Sequence, residues 1–185
     1  ECTHADLDRM SSLSTAPEVI AVYRIPVREF DPSTPARELI LALDTIQDPG
    51  NLGTIIRVAD WFGIHTIMCS RESVDLYNPK TVQATMGAMS RVNVHYLDLP
   101  DYLSSLQGSE VYGTFLDGEN IYNAQLGTTG VIVIGNEGRG ISEAVASHVT
   151  KRLTIPSYPA GSPTSESLNA AIAAAITIST FRQHG

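Results

Sequence analysis

From Leu39 onward, continuous apolar runs alternate with segments whose apolar residues recur at helical spacing, and this alternation restricts the fold more than any other feature. Leu39-Ile40-Leu41-Ala42-Leu43 is apolar at every position and stops at Asp44, and Val131-Ile132-Val133-Ile134 stops at Gly135. A strand with one face in water alternates polar and apolar residues, whereas one covered on both faces does not. Between these runs, Leu52, Ile55, Ile56, Ala59 and Phe62 share one helical face, and Gly63 closes the segment. Further strands are expected at 65–69, 92–96, 111–116 and 152–155, and helices at 79–86, 100–106, 142–148 and 168–181. Strands that alternate with helices form a parallel sheet flanked by helices, an α/β fold.

The first 36 residues read differently. A polar stretch, Ser11-Ser12-Leu13-Ser14-Thr15, leads to a strand-like run, Val19-Ile20-Ala21-Val22-Tyr23, and then Pro26, Pro32 and Pro35 mark a linker. One strand and a little helix make no core, so residues 1–36 read as the tail of a preceding domain and residues 37–185 as the domain proper. The chain opens at Glu1, which suggests a longer protein.

With 185 residues and 43% hydrophobic content, the chain can bury one full core. No run is long and apolar enough to span a bilayer, and no basic-then-apolar leader is present. Cys2 and Cys69 lack metal-ligand spacing and a clustered histidine, so neither a disulfide framework nor a metal site is expected, and a reducing, cytoplasmic setting fits. The formal net charge of −8, with Lys80 and Lys151 the only lysines, argues against a nonspecific polyanion binder. A local basic cleft remains compatible with it.

Three polar or glycine-rich runs stand at the ends of apolar segments, where parallel α/β proteins build their sites. The first is Asn51-Leu52-Gly53-Thr54-Ile55-Ile56-Arg57-Val58-Ala59. Asn51 is placed to cap the helix and face the crevice at the carboxyl ends of the strands. Arg57, opposite the apolar face, either pairs with Asp60 on the surface or reaches a phosphate or developing oxyanion. The second run, Gly135-Asn136-Glu137-Gly138-Arg139-Gly140, precedes a helix that Ser142 can cap, and its glycines allow close approach of a ligand. It is neither a P-loop nor GxGxxG, so it supports no nucleoside triphosphate and no dinucleotide. In the third, Ser167-Leu168-Asn169 opens an alanine-rich helix, with Thr164 or Ser165 as candidate caps and with Ser167 and Asn169, poor helix-interior residues, either capping or facing a ligand. The alanines permit a tight crossing or a subunit interface.

In this order and spacing the three runs resemble the SpoU (TrmH-like) branch of the SPOUT RNA methyltransferases over about residues 39–181. Tyr77-Asn78-Pro79-Lys80 and Met86-Gly87-Ala88-Met89-Ser90-Arg91 look like that family's connecting segments. The resemblance implies a C-terminal trefoil knot, an exception to the rule that chains do not thread themselves. It implies S-adenosylmethionine held in the knot, a homodimer through the knot and last helix, and methylation of a ribose 2′-hydroxyl in rRNA or tRNA. It also implies that residues 1–36 end an L30e-like substrate-binding domain. Carried over by motif, the cofactor residues are Thr114, Phe115, Leu116, Asp117, Gly135, Asn136, Glu137, Gly138, Ile155, Ser167, Leu168 and Asn169. The catalytic candidates are Asn51, Arg57, Glu137, Ser167 and Asn169.

A guanidinium stays protonated, so Arg57 is expected to clamp a phosphate and stabilise developing alkoxide, the proton leaving through phosphate or water. One departure from the family pattern is the long interval from Pro156 to Ser167, which borders the adenosine pocket and could alter cofactor affinity or cover the site. The competing reading is a silent RNA- or cofactor-binding module, motivated by the acidic charge and this loop. Presence of all five catalytic candidates weighs against it. A Rossmann-type small-molecule enzyme lacks its fingerprint.

Overall fold

In a computed structural model, which describes residues 2–11, 14–159 and 165–183, six strands form one sheet. They are β1 (Leu39–Leu43), β2 (Thr66–Ser70), β3 (Asn93–Leu97), β4 (Val111–Asn120), β5 (Gly130–Ile134) and β6 (Lys151–Thr154). Every paired neighbour is parallel, and the order is β3-β2-β1-β5-β4-β6. The helices are α1 (His4–Met10), α2 (Pro49–Trp61), α3 (Pro79–Thr85), α4 (Leu99–Ser105), α5 (Glu143–Ala146) and α6 (Ala170–Gln183). All the strands and helices expected after Leu39 are present, with boundaries displaced by a few residues.

The central strands are buried on both faces, as their unbroken apolar runs require. Leu39, Leu41 and Leu43 of β1 pack with Leu52, Ile55 and Ile56 of α2 and Ala174, Ile178 and Phe181 of α6. Ile40 and Ala42 point the other way, toward Leu99 and Leu103 of α4 and Val145 of α5. Side-chain alternation along a strand thus divides one run between two cores. At Gly53, an added Cβ would lie 2.5 Å from the Ala84 Cβ and 2.7 Å from the Thr81 carbonyl oxygen. The glycine of the Asn-x-Gly run is therefore what lets α2 and α3 cross closely.

Three local readings need correction, and a fourth is settled between its alternatives. Residues 19–23 form no strand; Val22 and Tyr23 are exposed, because no neighbouring strand among the described residues pairs with them. Helix α2 starts at Pro49, with Asp48 as its N-cap accepting from the Asn51 N–H at 2.8 Å. Asn51 is thus inside the first turn and does not cap. The cap of α6 is Asn169, the alternative to Ser165: its Oδ1 accepts from the Ala171 and Ile172 N–H groups at 2.9 and 3.2 Å. Thr164 lies outside the described residues. Ser142 occupies the N-cap position of α5 without a side-chain bond, and its N–H donates to Asp44 Oδ2 at 2.7 Å. The little helix expected in the first 36 residues is α1, and Thr3 and Asp6 close its N-terminus with a capping box.

Candidate active site

The sheet changes winding direction between β1 and β5, whose ladder runs from Leu39–Gly130 to Leu43–Ile134. Crevices form at the carboxyl ends of strands at such a switch. Here the Gly135–Gly140 run leaves β5 and turns back on itself. Asn136 and Gly140 exchange backbone hydrogen bonds at 2.9 and 2.8 Å, and Gly140 takes a φ of 69°. A Cβ on Gly135 would lie 2.3 Å from the Gly140 carbonyl carbon, so only glycine permits this closure.

Asn136 fixes the loop from inside. Its Nδ2 donates to the Thr45 carbonyl at 2.9 Å, and its Oδ1 accepts from the N–H groups of Gly138 and Arg139 at 3.0 and 3.1 Å. The loop is thereby tied to the end of β1, and the sequence gives no sign of this role beyond an amide among glycines.

Beside the loop lies a cavity of about 480 Å³. One wall is Thr114, Phe115, Leu116 and Asp117 in the middle of β4. Gly135, Glu137 and Gly138 form the second, and Ile155, Ser167 and Leu168 the third. Asn136 and Asn169, expected in the same pocket, do not line it, because their amides are spent on the loop and on the α6 cap. Ile134, Arg139, Glu166 and Ala173 also line the cavity and were not singled out. Arg139 stands within a run already marked, whereas Ala173 carries no chemical signal in the sequence.

At Glu137 and Ser167 of this lining, residues far apart in sequence meet. The Asn51 Nδ2 donates to the Glu137 carboxylate, and Asn169 Nδ2 donates to Asn51 Oδ1 at 2.9 Å. Ser167 Oγ donates to the Glu137 carbonyl at 3.0 Å. Four of the five catalytic candidates thus form one connected group, drawn from α2, the loop after β5 and the approach to α6.

Arg57 is the fifth and stands apart. It is exposed on α2, lines no part of the cavity, and makes no hydrogen bond or ion pair among the described residues. The expected alternative, a pair with Asp60, is not formed. Asp60 is held instead by Arg91, whose Nε lies 2.9 and 3.1 Å and Nη2 2.7 Å from its carboxylate oxygens. That guanidinium holds the Asp60 carboxyl below its usual value, first through hydrogen bonding and then through charge. Helical side chains lean toward the N-terminus, so Arg57, about 9 Å along the axis from Asn51, leans toward the cavity end of α2.

Outside the cavity lining, Arg152 of β6 stacks its guanidinium 3.5 Å above the Phe115 ring and bonds Asp117 Oδ1 at 2.7 Å. The hydrogen bond, and less so the charge, holds the Asp117 carboxyl below the ordinary range. Among the described residues no cluster of three or more His, Cys, Asp or Glu is placed to hold a metal ion, and no helix is long and apolar enough to cross a membrane.

Comparison with known proteins agrees with this layout. The chain is 32% identical over 184 residues to the 23S rRNA (guanosine(2553)-2′-O)-methyltransferase RlmP of Bacillus subtilis, covering 96% of this chain and 71% of that one. A TrmH-family structure from Porphyromonas gingivalis superposes with a TM-score of 0.81 at 42% identity, over 97% of this chain and 72% of that chain. The AdoMet-bound rRNA methyltransferase of Sinorhizobium meliloti gives 0.72 at 32% identity, over 80% and 57%. Each of these proteins is longer than the stretch it shares with this chain. The SpoU rRNA Methylase family model matches residues 38–179, and the chain belongs to that family.

Proposed function

We propose that residues 37–185 are the catalytic domain of an S-adenosylmethionine-dependent RNA ribose 2′-O-methyltransferase, with the cofactor in the 480 Å³ cavity. The observation that carries this reading is the connected group Asn51–Glu137–Asn169 with Ser167, of which Glu137 and Ser167 line the cavity. The cavity suits that cofactor. Ile134, Ile155 and Leu168 offer apolar surface for an adenine ring, while Asp117, Glu137 and Glu166 offer carboxylates to a ligand bearing hydroxyls and positive charge. The backbone of Gly135 and Gly138 allows close approach.

S-adenosylmethionine supplies a methyl group already activated on a sulfonium. The work left to the protein is to place a ribose hydroxyl in line and to draw off its proton. Asn51 is held by both of its neighbours, so its amide is oriented before any substrate arrives. Ser167 and Asn169 fix the turn into α6 against the loop that carries Glu137. Arg57, unpaired among the described residues and permanently charged, clamps the RNA phosphate next to the target ribose and stabilises developing alkoxide, the proton leaving through that phosphate or water. The acidic overall charge places RNA recognition in such local contacts rather than in a basic surface.

The same reading covers the remaining organisation. Residues within β4, after β5 and after β6 meet at one cavity before the chain enters α6 against α2, which supports a trefoil knot here. The alanine-rich α6, with Ile172 exposed, supports a homodimer through the knot and this helix. Helix α1 and the exposed apolar residues Val19, Val22 and Val27 support assignment of residues 1–36 to the end of an upstream L30e-like domain and its linker. Cys69 is buried, with its thiol pushed up to about 12 by burial, and fits a reducing cytoplasm without being needed there.

Calorimetry with S-adenosylmethionine, followed by tritium-methyl transfer to rRNA and tRNA with mapping of the labelled nucleotide, tests the reading. Saturable cofactor binding and label on a ribose 2′-oxygen are expected. Tight binding with no label in either RNA would identify a silent cofactor-binding module instead.

A further inference from the structure

We infer that Arg152 is a positioning residue that shapes the cofactor wall from outside the cavity. In the ladder between β4 and β6, Thr114 and Glu119 both pair with Leu153, so residues 115–118 are pushed out of the sheet. That excursion is the cavity wall that carries Phe115, Leu116 and Asp117. Four residues released from a ladder have lost their backbone partners there and need other restraints to hold one shape.

The restraints come from β6. Arg152 places its guanidinium 3.5 Å over the Phe115 ring, at one end of the excursion, and bonds Asp117 Oδ1 at 2.7 Å, near the other. Thr154 Oγ1 donates to the Leu116 carbonyl at 3.3 Å between them. At Gly118 an added Cβ would lie 2.8 Å from the Arg152 carbonyl oxygen, so the excursion returns to the sheet against the backbone of the same residue. Arg152 itself is absent from the cavity lining. Its planar fork can stack on a ring and bond a carboxylate at once, which the compact ammonium of lysine cannot do. Arg152 therefore sets where Phe115 and Asp117 stand before the cofactor binds, and it neutralises part of the Asp117 charge that faces the ligand.

This inference rests on the reading of the cavity as the S-adenosylmethionine site. The test uses the full-length protein, with Arg152→Met and Arg152→Lys compared by calorimetry with S-adenosylmethionine, by steady-state methyl transfer and by thermal melting. Arg152→Met is expected to raise the Kd and KM for the cofactor about tenfold while kcat at saturating cofactor stays near that of the unsubstituted protein, as loss of one cation–π contact and one charge-assisted hydrogen bond implies. Arg152→Lys, which keeps the charge but not the stacking, is expected to fall between the two. Adding Phe115→Leu to Arg152→Met should weaken binding by less than the sum of the single effects.

Unchanged cofactor affinity in folded Arg152→Met would overturn the inference. So would a loss of kcat without a change in KM, or a Lys variant as impaired as the Met variant in protein of unaltered melting temperature. Gly135→Val serves to separate the two levels. If it abolishes cofactor binding while Arg152→Met does not weaken it, the cavity reading stands and only the role of Arg152 fails; if Gly135→Val still binds normally, the cavity reading itself fails.

Discussion

The side-chain amide of Asn51 donates to the carboxylate of Glu137 across 86 residues of chain, joining the first turn of α2 to the glycine loop after β5. A second bond, from Asn169 across 118 residues, completes a junction among three elements that share no local sequence. Neither Asn51 nor Asn169 is free to rotate without breaking a bond, so the site's geometry is set by the fold before substrate arrives.

Removing Asn51 separates chemistry from stability. Asn51→Ala leaves the Glu137 carboxylate and the Asn169 amide without that partner in a partly solvated site, which lowers stability by about 1–2 kcal/mol. Methyl transfer at saturating cofactor is expected to fall roughly 10²-fold or more, as for loss of a preorganised transition-state donor. Single-turnover assays beside calorimetric melting check both. Turnover close to that of the unsubstituted protein would remove this junction from the chemistry.

Arg57 offers the opposite pattern. It is exposed and unpaired among the described residues, so Arg57→Ala and Arg57→Lys are expected to melt within about 0.5 kcal/mol of the unsubstituted protein. Both should lose methyl transfer, by roughly 10²–10³-fold for Ala. Lysine should not rescue it, because one ammonium does not reproduce a bidentate clamp. If Arg57→Lys kept most of the turnover and the RNA affinity, the bidentate geometry would be wrong.

Gly135→Ala forces a Cβ to within 2.3 Å of the Gly140 carbonyl carbon, and backbone rather than a flexible side chain must yield. Overpacking of this kind destabilises by about 1–3 kcal/mol. The displaced loop also carries Glu137 and Gly138, so cofactor affinity is expected to fall along with stability. Urea unfolding and calorimetry on the same preparation measure the two losses, and an unaffected affinity would place the ligand elsewhere.

The Asp60–Arg91 pair gives a pH dependence of known sign. Arg91 depresses the folded-state pKa of Asp60 below its unfolded value, near 4 for an ordinary carboxyl. The contribution is therefore fully present above about pH 4 and is lost as pH falls through the depressed value. Asp60→Asn should flatten the acid side of the stability profile without shifting it above pH 6 beyond a constant offset. Chemical denaturation from pH 7 to pH 3 on both proteins tests this, and parallel curves would contradict it.

Leu39–Leu43 and the run after Gly130 were legible as buried parallel strands because an unbroken apolar pattern leaves no solvent face. The three motif runs were legible as a family resemblance because their order and spacing are properties of the chain, although several of their residues also serve the fold: Gly53 lets α2 and α3 cross, and Asn169 caps α6. Local capping was less so. Asp48, Asn51, Ser165 and Asn169 all have side chains able to cap, and which one does so depends on where the helix begins, a matter of packing rather than propensity. Residues 19–23 have the composition of a strand but no partner among the described residues, and composition alone cannot supply one.

By itself, then, the sequence determined the layer architecture, the family and the five residues around which catalysis is proposed, because hydrophobic period and motif order are properties of the chain. Only the tertiary structure decided that Asp60 belongs to Arg91 and leaves Arg57 without a partner among the described residues. The joining of Asn51, Glu137 and Asn169, and the hold of Arg152 on the β4 wall, were decided there too. Each of these rests on contacts between residues tens of positions apart. Such contacts exist only once the two cores have closed on the sheet and fixed the strand ends side by side.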